Sequence, residues 1–406
     1  MTALPYLTAD ASGTGGNIKT FLEDFLVEEI PLYQPSGEGT HVYFGLEKRG
    51  IPTPEAVNRI ARFMGVRRSD IGFAGLKDAQ AVTSQTMSLE HADPEKLAAY
   101  ADRQMQVTWT SRHTNKIRMG HLAANRFTLK IRDVETDSAL PAAREVLDTL
   151  IRRGVPNYFG PQRFGLRGDT ADLGEALIRD DLPAFLAIFL GKPSCNDPPD
   201  CRAARDAFDA GDYPRALKRW PRHFADQRRA LAAYKKKLRP GPAVAAIDKR
   251  MKRLFVSAFQ SRIFNDIVAA RIETLDKVFA GDLAKKTDTG GVFPVEDAAA
   301  EQPRCDAFEI SPTGLLPGSR ANLAGGEPGR IEREVMAARG VEPDQIERAG
   351  SLKIKGQRRP LRFGLGDPDI SADSDDQGPH LRLSFALPSG CYATVVLREI
   401  MKTPEL

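Results

Sequence analysis

Histidine and cysteine are scarce in this chain of 406 residues, and their spacing excludes the commonest metal and thiol chemistries. The six histidines form no H-E-x-x-H pair, and Cys195, Cys201, Cys305 and Cys391 follow neither a C-x-x-C nor a zinc spacing. The cysteines read as free thiols, and no metal is expected. No run approaches the roughly 20 consecutive apolar residues of a membrane helix. The opening MTALPYLTADASGTGG lacks the basic-then-apolar order of a secretion signal. A cytoplasmic protein that engages no membrane is the expectation. There is no G-x-S-x-G elbow, no G-x-x-x-x-G-K-[ST] loop and no G-x-G-x-x-G turn opening a helix after a strand. Serine-hydrolase chemistry and nucleotide cofactors therefore have no support, and no organic cofactor is expected.

A large excess of one charge is also missing, since 58 basic and 54 acidic residues leave a net charge of +4. The distribution is less even. Between Ala216 and Arg253 thirteen basic residues, Lys235, Lys236 and Lys237 among them, face only Asp226 and Asp248. Such a local excess suits phosphate contact, although solvated helix faces produce the same pattern.

What is present in quantity is enough apolar residue, 41%, for a sizeable core. The length points to about two domains, because single cores stop growing beyond roughly 250–300 residues. The first 135 residues read as strands with helices between. TPEAVNRIARFMG has Thr53 as a cap, Pro54 at the first helical position and Gly65 as a left-handed stop. GFAGLKDAQAVTSQTMSL reads as strand, tight loop at GLKD, and strand. RFTLKIRD alternates, with Phe127, Leu129 and Ile131 on one face. From about 170 to 275 helical patterns dominate, and Phe255, Phe259, Ile263 and Ile267 form an apolar stripe. Residues from about 276 to 350 carry mixed signals and no placeable elements. GDPDISADSDDQGP, with Asp367, Asp369, Asp373, Asp375 and Asp376, reads as an exposed, mobile acidic loop. LRLSFALPSG after it returns to period two, as a strand that rejoins the N-terminal sheet.

The chemistry left is that of GLKD, where Asp78 follows Lys77 in a loop between two strands. A carboxylate there serves as nucleophile, general base or simple loop cap, and an Asp in a turn is most often the last. A carboxylate-dependent hydrolase would want a second positioned acid, and none is evident by spacing.

Read with its neighbours, the loop says more. GFAGLKDAQAVTSQ (72–85) and VPNYFGPQRFG (155–165) resemble the two signatures of TruD-type pseudouridine synthases. Supporting similarities run in order along nearly the whole chain: FLVEEIPLYQPSGEGTHVYF, NKIRMGHLAANRFTL, LFVSAFQSRIFN, SPTGLLPG and LPSGCYATVVLREI. One departure is Ala124, where family members often carry glycine. The resemblance implies an α+β fold: a pseudouridine-synthase catalytic domain with a mixed, largely antiparallel sheet, and an inserted, helix-rich TRUD domain. The expected segments are 1–156 and 358–406 for the catalytic domain and 157–357 for the insertion.

The resemblance also implies an isomerase with tRNA as partner and the uridine at position 13 as usual target; a monomer is the expectation for its working unit. The same resemblance makes Asp78 the essential carboxylate, acting on a uridine flipped out of its stack. An ionised carboxylate needs a nearby cation, and Lys19 or Lys77 can supply it, Lys19 being preferred. Phe127 is expected to stack on the flipped base and Asn125 to organise the pocket by hydrogen bonding, with core packing as the other reading of Phe127. Phe25 has the same two readings, core packing ahead. Arg163 is expected either to bind a phosphate or to brace the domain junction. A non-catalytic RNA-binding or RNA-chaperone protein with this fold would tolerate loss of the Asp78 carboxylate, which is retained here.

Overall fold

A computed structural model describes residues 4–342, 345, 352 and 354–403. The chain divides into two compact units, one of Leu7–Val155 with Phe363–Leu406 and the other of Met1–Tyr6 with Pro156–Arg362. Residues 4–6 thus go with the inserted segment. The return to the first unit comes at Phe363 rather than 358, because Gln357–Pro360 is hydrogen-bonded as a strand to Ile310–Leu316 of the second.

The first unit is built on strands β1 (Phe25–Pro31), β2 (His41–Arg49), β3 (Ile71–Phe73), β4 (Val82–Glu90), β5 (Met105–His113), β6 (Leu122–Ile131), β7 (Gly366–Asp375) and β8 (Gly378–Pro388). They form one sheet in the order β7-β8-β6-β1-β4-β2-β5, with β3 beside β4. β1 and β4 run parallel and the remaining pairs antiparallel. Alternation fixes which face is inward. Leu381, Leu383, Phe385 and Leu387 of β8 are all buried, and lie opposite Ile131, Leu129, Phe127 and Asn125 of β6.

Helix α1 (Thr53–Met64) covers another part of the sheet, packing Ala56, Val57, Ile60 and Ala61 on Val42, Phe44 and Leu46 of β2. Each large side chain buried this way contributes roughly 1.5–3 kcal/mol. Gly65, at φ 73°, ends the helix in the left-handed conformation expected of it. Thr53 is not the cap. It is the first helical residue, and its hydroxyl instead donates to Gln85 Oε1 (3.0 Å) and accepts the Lys77 amide (2.9 Å), tying the helix to the GLKD loop.

The acid-rich stretch expected to be a mobile loop is strand β7. The reason is the basic end of β6: Arg132 donates to Asp375 at 3.0 and 2.8 Å and Lys130 at 2.6 Å. Hydrogen bonds from Arg132 and then Lys130 hold the Asp375 carboxyl well below the usual range. Asp367 at the other end of the strand is matched as well, by Arg126 at 3.3 Å.

The second unit is mainly helical. Its helices include α2 (Leu182–Leu190), α3 (Tyr213–Arg219), α4 (Ala225–Lys237) and α5 (Lys249–Ala270), with Phe185, Phe189, Trp220, Leu231 and Phe255 in one apolar core. The α5 stripe of Phe255, Phe259, Ile263 and Ile267 is buried throughout. The region of mixed sequence signals contains most of a four-stranded sheet, in the order Gln357–Pro360, Ile310–Leu316, Leu283–Lys286, Val292–Pro294. Among the described residues no two cysteines form a disulfide, no helix is long and apolar enough to cross a membrane, and no group of three metal-ligating side chains occurs.

Candidate active site

The loop of residues 74–81 joins β3 to β4, and two residues within it face opposite ways. Lys77 points inward. Its Nζ is 2.5 Å from Glu29 Oε2 on β1, with the two side chains only 4% and 1% exposed. Glu29 Oε1 also accepts the Thr86 amide at 3.2 Å. Lys77 therefore does not serve as the cation beside Asp78; successive residues of an extended chain project to opposite sides, and Lys77 is committed to the buried carboxylate.

Asp78 points outward and is partly exposed. Its Oδ1 accepts the Gln80 amide at 2.9 Å, a local turn contact, while Oδ2 accepts a hydrogen bond from Lys19 Nζ. Burial pushes the Asp78 carboxyl up, but the Lys19 hydrogen bond, the Gln80 amide and the charges of Lys19 and Lys48 outweigh it, leaving it below the usual carboxylate range. It is an anion at neutral pH.

Lys19 is held in place from two sides. Its ammonium lies 4.3 Å from the centroid of the Phe25 ring, a cation–π contact, as well as on Asp78. Its backbone is left-handed at φ 57°, a conformation non-glycine residues adopt rarely and at a cost of about 1–2 kcal/mol. Phe25 itself is 3% exposed, so core packing describes it, with one ring face lent to the cation. The Phe25 ring meets Phe127 edge-on at 6.1 Å, and Phe127 lies 5.6 Å from Phe385. Asp78, Lys19, Phe25 and Phe127 thus form a continuous line of contacts.

Phe127 departs from its neighbours on the same face: Leu129 and Ile131 are fully buried, whereas Phe127 is only half-buried. Two residues before it, Asn125 lies opposite Glu29 on β1, and its buried Oδ1 has no hydrogen-bond donor among the described residues. An acceptor left empty in a buried position costs about 1–3 kcal/mol, and such groups call for a partner.

Two residues of this site carry no expectation from sequence. Glu29 is one. Lys48 is the other: fully buried, it donates to the carbonyls of Ile51 (2.6 Å) and Asp78 (2.8 Å), clamping the loop backbone. Burial pulls the Lys48 ammonium down to about 8, against the opposing pull of Asp78 and with help from Lys77. Both residues fall on apolar faces by period two, Glu29 after Phe25 and Val27, and Lys48 after Phe44 and Leu46. A charge at such a position is the readable signal.

Arg163 belongs to the other unit. Its guanidinium donates to the hydroxyls of Ser261 (3.0 Å) and Ser257 (2.5 Å), both on α5, and lines a cavity with Arg253, Lys355 and Arg359. Among the described residues its hydrogen-bond partners are these hydroxyls, and no carboxylate pairs with it.

The chain matches the family described as tRNA pseudouridine synthase D (TruD) over residues 2–400. It is 44% identical over 400 residues to tRNA pseudouridine synthase D of Geobacter metallireducens, covering 98% of this chain and 97% of that one. The protein of the same name from Anaeromyxobacter dehalogenans is 38% identical over 404 residues, covering 99% and 97%. The crystal structure of the putative tRNA pseudouridine synthase D from Methanosarcina mazei has the same fold, with a TM-score of 0.87 and 28% identity, covering 98% of this chain and 96% of that one. A loop carboxylate held by a strained lysine, beside a half-open aromatic, thus sits in a chain that belongs to the tRNA pseudouridine synthase D (TruD) family.

Proposed function

We propose that this protein isomerises uridine to pseudouridine in tRNA, with Asp78 as the catalytic carboxylate and position 13 as the target. The reaction breaks the bond from ribose C1′ to N1 of the base, turns the base and joins C1′ to C5; C5 then loses its proton and N1 gains one, so the product is an isomer of the substrate. It is redox-neutral and needs no external energy. Two routes at the sugar, addition of a carboxylate or removal of a ribose proton, both require an ionised group beside C1′. The observation that carries the reading is the Asp78 carboxylate, kept below the usual range by Lys19 while one side stays open to solvent.

The neighbours fit a flipped base. The open part of Phe127 offers a stacking surface, and the empty Asn125 Oδ1 suits the N3–H of uracil, a donor that lies on its Watson–Crick edge. Lys48 and the Lys77–Glu29 pair hold the loop rather than touch the base. Arg163, braced on serine hydroxyls, is assigned to an RNA phosphate. The segment Pro156–Arg362 is assigned to the inserted TRUD domain, and the working unit to a monomer.

The test is chemical mapping of pseudouridine in tRNA transcripts incubated with the purified protein. One new pseudouridine, at position 13, is expected. Absence of any new pseudouridine in every transcript tried, with the transcripts bound and intact, defeats the proposal.

A further inference from the structure

The helical unit carries a feature that the Asp78 site does not use. α3 and the turn after it wall an open cleft of about 810 Å³. Five cations line it, Arg215, Lys218, Arg219, Arg222 and Arg228, and Asp200 is the one carboxylate among the described lining residues. Arg228 is committed: it donates to the carbonyls of Leu217 (2.8 Å) and Trp220 (2.6 Å), fastening α4 to the wall. The other four make no ion pair among the described residues, in contrast to Arg229, which is 2.6 Å from Asp226.

Trp220 lines the same cleft. Its indole is 1% exposed, stacked under the Arg205 guanidinium at 5.2 Å, and its buried Nε1–H has no acceptor among the described residues. The buried indole forms part of the wall and packs the cleft against the core. What the four cations lack among the described residues is a counter-charge, and an anionic oxygen supplies it. Three arginines, with their fixed forks of donors, favour a phosphate over a carboxylate, and an open cleft favours a chain that passes through over a small enclosed ligand.

We propose that this cleft is a tRNA backbone site, binding phosphodiester groups through Arg215, Lys218, Arg219 and Arg222. The inference rests on tRNA being the substrate. It also divides the basic segment read from sequence. The cleft supplies the affinity, while Lys235, Lys236 and Lys237, on the last turn of α4, are a solvated helix end.

The experiment compares the full-length parent with R215A/R219A/R222A, with W220F, and with K235A/K236A/K237A as control. tRNA affinity is measured across a range of salt, alongside the single-turnover rate at saturating tRNA. Each phosphate that is no longer neutralised lowers the slope of log affinity against log salt by about 0.7–0.9. The cleft variant should fall by about 2 in slope and about tenfold in affinity, with its saturated rate within about twofold of the parent, since these residues position RNA without touching the reacting sugar. W220F keeps an aromatic ring in the wall and removes only a buried N–H, so it should bind with the parent's affinity and slope. The lysine control should stay close to the parent. A cleft variant that melts like the parent yet keeps its slope and affinity overturns the proposal. So does a parent whose Trp220 fluorescence, read in a W109F background, responds to inorganic phosphate or free nucleotide but not to tRNA. Failure of the isomerase reading is separate: it is a parent that binds tRNA and forms no pseudouridine.

Discussion

Replacing Lys77 by methionine should destabilise the first unit without removing any group that touches the substrate. Lys77 Nζ and Glu29 Oε2 are 2.5 Å apart, in side chains 4% and 1% exposed. Without the ammonium, the Glu29 carboxylate keeps the Thr86 amide at 3.2 Å as a donor, in a position out of contact with water. Breaking a buried pair from one side costs about 3–5 kcal/mol, because the remaining charge is uncompensated. That is a large share of a typical folding stability of about 5–15 kcal/mol. K77M/E29Q should recover at least half of the loss, since glutamine is neutral and still accepts from Thr86. Native-state hydrogen exchange of the β1, β4 and β6 amides reads the stability of this unit by itself. A loss under about 1 kcal/mol in K77M, or a double variant no more stable than K77M, would refute the assignment of Lys77 as a buried anchor.

Phe127→Ala should lower the single-turnover rate by about tenfold to a hundredfold, as expected for removal of a stacking surface worth roughly 1–3 kcal/mol, with a smaller loss of tRNA affinity. Global unfolding of that variant on a thermal melt would instead assign the ring to the core. Lys48 predicts a pH effect on stability. Its folded-state value of about 8 lies below the ordinary 10.5, so between these two pH values the unfolded chain binds more protons. Unfolding free energy should therefore rise through that window, by up to about 3 kcal/mol, and K48M should lack the rise. Denaturant melts of both proteins at pH 7.5 and 9.5 decide it, and equal pH dependence in the two would sink the assignment.

Much of this site is legible where a residue's role follows from its own neighbours. The GLKD loop, the α1 stop at Gly65 and the face shared by Leu381, Leu383, Phe385 and Leu387 all depend on local geometry and period. Lys19 as the partner of Asp78 is legible through the family pattern alone, because 59 positions separate the two in sequence. The loop chemistry by itself leaves Lys77 equally eligible, since adjacency does not reveal which way a side chain points. Glu29 and Lys48 are visible only as charges on apolar faces, a signal that marks burial without naming the partner. The β7 hairpin escapes a sequence reading for the opposite reason: five aspartates look disordered until Arg132 and Lys130 are known to stand across the sheet from Asp375. The small sheet of the second unit escapes it because its strands are short and several pair across long stretches of chain.

Asp78→Asn keeps the size and the turn contact to Gln80 while removing the charge on which the chemistry depends. Single-turnover pseudouridine formation at saturating tRNA should fall by more than about a thousandfold, some 4 kcal/mol of transition-state stabilisation, with tRNA affinity within about threefold of the parent. A rate within about tenfold of the parent, in a variant that folds and binds tRNA normally, would contradict the assignment of Asp78 as the catalytic carboxylate.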